Sequence, residues 1–188
     1  MIRFLWTLSL VALPIAGWCE PAPSGTPIKV PNGVSTPDFT ADGRADLIVS
    51  AHRENFNAHS FEVVTFYVLV AADESGKPLW NLISLKAGEK ESLEVVVSGG
   101  ADCVIHDFRL LAGPKPDSAT LVLADRDFGD NYAAVERVTF TYLMLRRNYE
   151  GLPGEAIYTF VKTQTVRSQR SYCDVGDALK GELNLGSR

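Results

Sequence analysis

Apolar and polar residues alternate with a period close to two along most of the chain after position 45. In one such run, Leu93, Val95 and Val97 fall on the same side of the chain. A period of two is typical of β-strands with one buried face. The pattern predicts eight strands, at residues 46–51, 61–72, 79–85, 92–98, 103–112, 120–125, 137–145 and 156–166.

Short segments rich in glycine and proline separate these runs, and no helical pattern lies between them. Strands of this length and spacing predict a mainly β fold with antiparallel sheets. We expect one domain at residues 38–188, a β-sandwich of jelly-roll or immunoglobulin-like type, with a closed barrel as the alternative that fits the same pattern.

A short C-terminal helix is the only helix that the pattern predicts. Asp174 is a suitable N-cap, since its carboxylate can accept a hydrogen bond from the first free amides of a helix. Val175, Ala178, Leu179 and Leu183 then fall on one helical face. We expect that face to pack against the sheets.

The first residues have the pattern of a secretory signal peptide. Arg3 precedes an apolar stretch that is shorter than the roughly 20 residues of a membrane-spanning helix. The bulky Trp18 before Cys19 disfavours a lipid anchor. We therefore expect residues 1–19 to be a cleaved signal peptide, residues 20–37 to be a proline-rich extended segment, and the mature protein to be periplasmic or secreted and not membrane-spanning.

Signal cleavage leaves two cysteines, Cys103 and Cys173. A single pair in an oxidising compartment predicts one intramolecular disulfide, with two separate buried thiols as the alternative. The bond would close a loop of roughly 70 residues, for which the chain-entropy model gives about 4 kcal/mol of stabilisation.

Composition and charge exclude one class of partner. Hydrophobic residues make up 46% of the chain and charged residues 22%, which is ordinary for a globular domain. The chain has 18 basic and 23 acidic residues, a net charge of −5, and no run of Lys or Arg. Because nucleic-acid binding depends on such basic clusters, we expect no nucleic-acid partner.

One acidic loop suggests a calcium site. Asp38, Asp42 and Asp46 alternate around Gly43, much as in the calcium loops of FG-GAP-type repeats and, more loosely, EF-hands. Thr40 stands where a ligating Asn or Asp is usual. We expect no cofactor unless this loop binds calcium, and a plain Asp-Gly turn is the alternative.

The three histidines suggest a second metal hypothesis. His52, His59 and His106 could form a catalytic zinc site with an open position. The chain has neither a His-x-His pair nor a His-Glu-x-x-His motif, and a histidine in a strand is more often a hydrogen-bonded structural residue.

Segment 52–59 is unusually polar for a connection between two apolar runs, and its polar residues predict a binding loop or, alternatively, a hydrogen-bonded turn. Polar positions in the run 103–112 extend this candidate site. The candidate binding residues are His52, Arg53, Glu54, Asn55, Asn57, His59, His106, Asp107 and Arg109.

Sequence motifs of serine hydrolases do not occur in the chain after the leader. Ser-x-x-Lys, Ser-Asp-Asn and Gly-x-Ser-x-Gly are all missing. The alternating charges of segment 125–130 favour a solvated loop, with a site for a cation or a charged ligand as the alternative. The motifs therefore predict no catalytic residue and favour a protein that is not an enzyme.

Three stretches resemble the CarG-type carbapenem intrinsic-resistance proteins. They are HRENFNAH at 52–59, GGADCVIHDFR at 99–109 and SYCDV at 171–175, and the resemblance spans residues 45–180. It implies an exported protein that protects a cell from a β-lactam without an obvious hydrolytic site, and it identifies no catalytic residue.

The leading hypothesis is therefore a periplasmic or secreted, non-enzymatic binding or accessory protein. Its partner would be a periplasmic protein or a β-lactam. The alternatives are a metal-dependent enzyme that uses the three histidines and a calcium-stabilised surface or adhesion module that uses the loop from Asp38 to Asp46.

Overall fold

A computed structural model describes residues 25–59, 61–72, 74–89 and 91–188. The predicted signal peptide lies outside the described residues. Within these ranges the chain forms twelve strands and one helix, and their bounds in chain order are β1 (Thr26–Ile28), β2 (Gly33–Ser35), β3 (Leu47–Arg53), β4 (Phe61–Ala72), β5 (Pro78–Leu82), β6 (Ser84–Lys86), β7 (Glu91–Ser92), β8 (Val95–Gly99), β9 (Val104–Ala112), β10 (Thr120–Arg126), β11 (Glu136–Arg147), β12 (Tyr158–Tyr172) and α1 (Val175–Leu183).

The described strands form one continuous sheet in the order β2-β3-β4-β8-β9-β10-β11-β12-β6-β7, with β1 added beside β9 and β5 beside β4. Among these pairings, only β6 and β12 run parallel. The first half of β4 pairs with β8 and its second half pairs with β5. Because β4 pairs with two different strands along its length, the sheet divides into two layers at β4.

The two layers close on a core of buried apolar side chains. Phe66 of β4 meets Phe108 of β9 and Phe160 of β12 edge to face, with ring centroids 6.0 and 5.7 Å apart. Phe39 meets the same ring of Phe66 at 6.3 Å. All four rings are buried, and each contributes about 1.5–3 kcal/mol through burial. The mainly β, sandwich-like fold predicted from the sequence is confirmed.

The helix packs on β10 and β11, on the face of these strands that points away from the core around Phe66. Val175, Ala178 and Leu179 are buried against a cluster that includes Val122 of β10 and Phe140 of β11. The predicted apolar face of the helix is therefore the face that packs, and the C-terminal helix is confirmed.

Several strand bounds differ from the prediction because pairing partners change within a run. The predicted strand at 79–85 is divided at Ile83, with β5 on β4 and β6 on β12. The predicted strand at 92–98 is likewise divided between Ser92 and Val95, where the Ser92 hydroxyl donates to the Glu94 carbonyl at 2.8 Å. The last strand extends to Tyr172, beyond the predicted end at 166.

Candidate functional site

The predicted binding loop connects β3 to β4, and two of its polar side chains shape its backbone. Glu54 accepts a hydrogen bond from the N–H of Phe56 at 2.7 Å, and Asn57 accepts one from the N–H of His59 at 2.8 Å. These bonds fix the loop conformation, as the alternative of a hydrogen-bonded turn requires. Glu54 and Asn57 are nevertheless exposed.

Phe56 forms the tip of this loop. Its side chain is 95% exposed, and its backbone has a φ of 55°. An aromatic residue rarely adopts this left-handed conformation, which costs on the order of 1 kcal/mol. The loop therefore presents an apolar ring to solvent in a strained and hydrogen-bonded turn.

A stack of rings anchors the loop to the neighbouring segment 127–134. The rings of His59 and Tyr132 have centroids 4.5 Å apart, and Phe128 meets Tyr132 edge to face at 4.8 Å. Gly100 lies against Tyr132, where an added Cβ would come within 2.8 Å of the ring. We call these three rings, together with Phe56 at the tip of the same loop as His59, the aromatic surface.

The remaining polar residues of the loop lie at its beginning. His52 and Arg53 end β3 and are exposed, whereas Asn55 is partly buried. His52 Nε2 lies 3.6 Å from a carboxylate oxygen of Glu54, a loose and solvent-screened contact. The structure therefore places the predicted residues of segment 52–59 at the end of β3 and in the loop that follows it, and of these only His59 contacts Tyr132 in the described contacts.

Two acidic residues on β4 and β9 hold the side chain of Arg188. Its Nη2 lies 2.5 Å from Glu62, and its Nε lies 3.1 Å from Asp107. Ser50 also donates to Glu62, at 2.6 Å. Burial opposes ionisation of Glu62, but the hydrogen bonds from Ser50 and Arg188 outweigh it and hold its pKa below the ordinary value.

Arg109 is buried, which removes it from the exposed part of the candidate site. Its Nη1 donates to Asp107 at 2.7 Å and to the Phe108 carbonyl at 2.6 Å, and its Nε donates to the Gly186 carbonyl. Asp107 and Arg109 therefore fasten the C-terminal tail to β9, and the tail covers them.

His106 belongs to a different part of the surface. Its Nδ1 lies 2.8 Å from Asp125 on the neighbouring strand β10. On the strand at the other edge of β9, which is β8, Ser98 is the residue paired with His106. The three side chains line one cavity of about 350 Å³. Hydroxyl, imidazole and carboxylate thus stand in the order used by serine hydrolases. Within the described residues, however, no hydrogen bond joins Ser98 to His106.

The carboxylates of the acidic loop accept hydrogen bonds from other groups of the same loop. Asp38 accepts from the N–H groups of Asp42 and Gly43 at 3.1 and 2.9 Å. Asp42 pairs with Arg44, whose Nη2 lies 2.5 Å away, and the hydrogen bond from Arg44 holds the pKa of Asp42 below its ordinary value. The arrangement is that of an Asp-stabilised turn.

Asp46 closes this turn from inside the protein. It is buried, and one oxygen accepts from the N–H groups of Phe39 and Thr40 at 2.9 and 2.8 Å. The Thr40 hydroxyl donates to the same oxygen at 3.0 Å. Burial outweighs these hydrogen bonds and raises the pKa of Asp46 to about 6. Asp46 thus serves as a buried hydrogen-bond acceptor.

The zinc hypothesis depends on three histidines, and each of them has a different partner in the structure. His52 lies beside Glu54, His59 stacks on Tyr132, and His106 lies beside Asp125. No group of three or more His, Cys, Asp or Glu side chains within the described part of the chain is arranged to hold a metal ion.

No helix among the described residues is long and apolar enough to cross a membrane.

Comparisons with known proteins bear on the fold. No family model and no curated protein matches this chain. A solved structure described as the crystal structure of CarG is similar, with a TM-score of 0.67 and 24% sequence identity over 87% of this chain and 99% of that chain. This chain shares the fold of CarG. Membership of the family that the sequence resembles remains a prediction.

Sequence reasoning did not identify Phe56, Ser98 or Asp125. A lone aromatic residue among polar neighbours was a signal for Phe56. Nothing in the sequence marks Ser98, and the charged segment that begins at Asp125 was interpreted as a solvated loop. Only the strand register brings Ser98 and Asp125 next to His106.

Proposed function

We propose that this protein is a periplasmic or secreted, non-enzymatic binding protein that protects a cell from a carbapenem or another β-lactam. Its CarG fold, which covers 87% of the chain, carries the proposal. The three stretches that resemble carbapenem intrinsic-resistance proteins support it. The disulfide between Cys103 and Cys173 is consistent with an oxidising compartment.

The aromatic surface supports a protein partner as the target that is shielded. Aromatic residues are enriched at the centres of protein interfaces, where they contribute most of the binding energy. Phe56 is almost fully exposed and Phe128 is about half exposed. Hydrogen bonds and the His59–Tyr132 contact hold the loop in one conformation, so little entropy is lost on binding.

The row formed by Ser98, His106 and Asp125 favours one second candidate, an acyl-transfer enzyme. A serine nucleophile needs a base within hydrogen-bond reach, and the His106–Asp125 pair has the orientation of such a base. Ser98 makes no hydrogen bond to His106 among the described residues, which is why the binding function ranks first.

Incubation of the purified protein with a carbapenem and with nitrocefin separates the two candidates. The proposal predicts ring opening at the rate of buffer alone. Ring opening that is faster than buffer, lost in Ser98→Ala and kept in Ser92→Ala, would establish the enzyme. Ser92 is the matched control because it lines the same cavity but is not opposite His106.

A pull-down from periplasmic extract with immobilised protein, compared with its Phe56→Asn variant, then tests the shielded partner. The proposal predicts a cell-wall protein that wild type retains and the variant loses. Equal retention by both proteins would show that the aromatic surface does not bind the partner.

A further inference from the structure

The cavity beside His106 lies where the end of the sheet comes back against its middle. Leu85 of β6, Val95 of β8 and Leu123 of β10 all line it, although β6 pairs with neither β8 nor β10. Its volume of about 350 Å³ is in the range of small-ligand sites. These apolar side chains give it a floor that would cover the apolar part of a ligand.

The polar groups of the cavity are mainly hydrogen-bond acceptors. A carboxylate only accepts, so Nδ1 of a neutral His106 donates to Asp125 at 2.8 Å and Nε2 is left as an acceptor. Ser98 adds a hydroxyl, and Glu94 adds an exposed carboxylate at the rim. A ligand that meets this lining must bring hydrogen-bond donors.

The charge around the cavity has the same preference. Asp107 also lines it, but its charge is balanced by Arg109 and Arg188. The carboxylates of Asp125 and Glu94 face no arginine or lysine in the described contacts, and the lining of the cavity contains no arginine or lysine. Next to it, the structure already seats one cation, the guanidinium of Arg188 between Glu62 and Asp107.

We infer that this cavity binds a small organic ammonium ion. The apolar body of the ligand covers Leu85, Val95 and Leu123, and its N–H donors reach Asp125 and His106. A carboxylate ligand would meet like charge and is disfavoured. The inference goes beyond protection from a β-lactam and does not depend on it.

Three ligands of equal size test the charge preference. They are 3-phenylpropylamine, 3-phenylpropanol and 3-phenylpropionate, titrated into the purified full-length protein near neutral pH and low salt, with affinity measured by calorimetry or amide NMR shifts. We expect the amine to bind about tenfold or more tightly than the alcohol, as charge-assisted hydrogen bonds do, and the acid to bind most weakly. Equal affinities, or tightest binding of the acid, would overturn the inference.

Substitutions then locate the site. Asp125→Asn should lower the affinity for the amine about tenfold and leave that for the alcohol unchanged. Asp127→Asn is the matched control, because Asp127 is exposed two positions later and does not line the cavity. Ala87→Trp, which fills the cavity from its edge, should abolish binding of both ligands.

Unchanged amine affinity in either Asp125→Asn or Ala87→Trp, with the far-ultraviolet circular dichroism of wild type, would place the binding elsewhere and refute the site. The assay contains no β-lactam. Its failure would therefore leave the proposed function standing, and the reverse also holds.

Discussion

The carboxylate of Asp174 accepts a hydrogen bond from the backbone N–H of Val104, 3.0 Å away and 70 positions earlier in the chain. Its other oxygen accepts from the N–H of Gly176 at 2.7 Å and so caps the helix. Cys103 directly precedes Val104 and Cys173 directly precedes Asp174. These two cysteines form a disulfide, and their Cα atoms are 5.7 Å apart. The start of the helix is therefore fastened to β9 twice, once by sulfur and once by a carboxylate.

Replacing both cysteines tests the first fastening. The double substitution Cys103→Ser and Cys173→Ser should lower the free energy of unfolding by up to about 4 kcal/mol, because the unfolded chain loses a crosslink across a long loop. Asp174→Ala should cost a further amount of about 1 kcal/mol by removing the cap. Urea denaturation measures both, and alkylation of both thiols in the native, unreduced protein would contradict the bond.

Asp46 should give a characteristic dependence of stability on pH. Its pKa is about 6 in the folded protein and close to 3.8 when unfolded, so its protonated form stabilises the fold. That contribution is fully present below about pH 3.8 and is lost as the pH rises through about 6. The free energy of unfolding of wild type minus that of Asp46→Asn should therefore fall between pH 4 and 6 and level off above.

Carboxyl NMR titration of Asp46 provides a control that needs no variant. A midpoint near 6 agrees with the structure, whereas a midpoint at or below 3.8 would show that the hydrogen bonds from Phe39 and Thr40 dominate over burial.

Phe56 should matter for protection and not for stability. Phe56→Asn places a residue that tolerates positive φ at the loop tip, so we expect the free energy of unfolding to stay level or to rise by up to about 1 kcal/mol. Survival of cells in a carbapenem should fall. Leu79→Asn is the control, since Leu79 is also an exposed apolar residue but lies on β5. Equal loss of protection in both variants would indicate a general effect of surface polarity.

Arg188 should control the ionisation of Glu62. Arg188→Ala removes a hydrogen bond and a positive charge from Glu62, so the pKa of Glu62 should rise. Protection of the tail 184–188 from proteolysis should fall at the same time, although Arg109 still holds Gly186. Carboxyl NMR and limited proteolysis measure these effects, and an unchanged pKa would show that Arg188 does not pair with Glu62 in solution.

Local sequence patterns predicted the elements that are marked by their own alternation or by a capping residue. The alternation in β9 and β11 and the cap at Asp174 are local signals, and each appears where it was expected. The break at Ile83 was not predictable, because it arises where the chain leaves β4 for β12. A period of two does not carry information about such long-range pairing.

The candidate site was predictable only in part for the same reason. The polar loop is contiguous in sequence and was found. Burial of Arg109 under the C-terminal tail and the placement of Asp125 beside His106 depend on contacts 77 and 19 positions apart. Asp125 was interpreted as part of the solvated charged segment 125–130, whereas it is the second-last residue of β10 and pairs with His106.

The carbapenem concentration in the medium above a protected culture tests the central claim most directly. A susceptible Gram-negative bacterium that exports this protein should survive a dose that kills the same strain without it, while the drug concentration stays equal in the two cultures. A fall in the drug concentration that tracks survival would show that the protein acts by destroying the drug. Equal killing of both strains would show that the protein does not protect the cell.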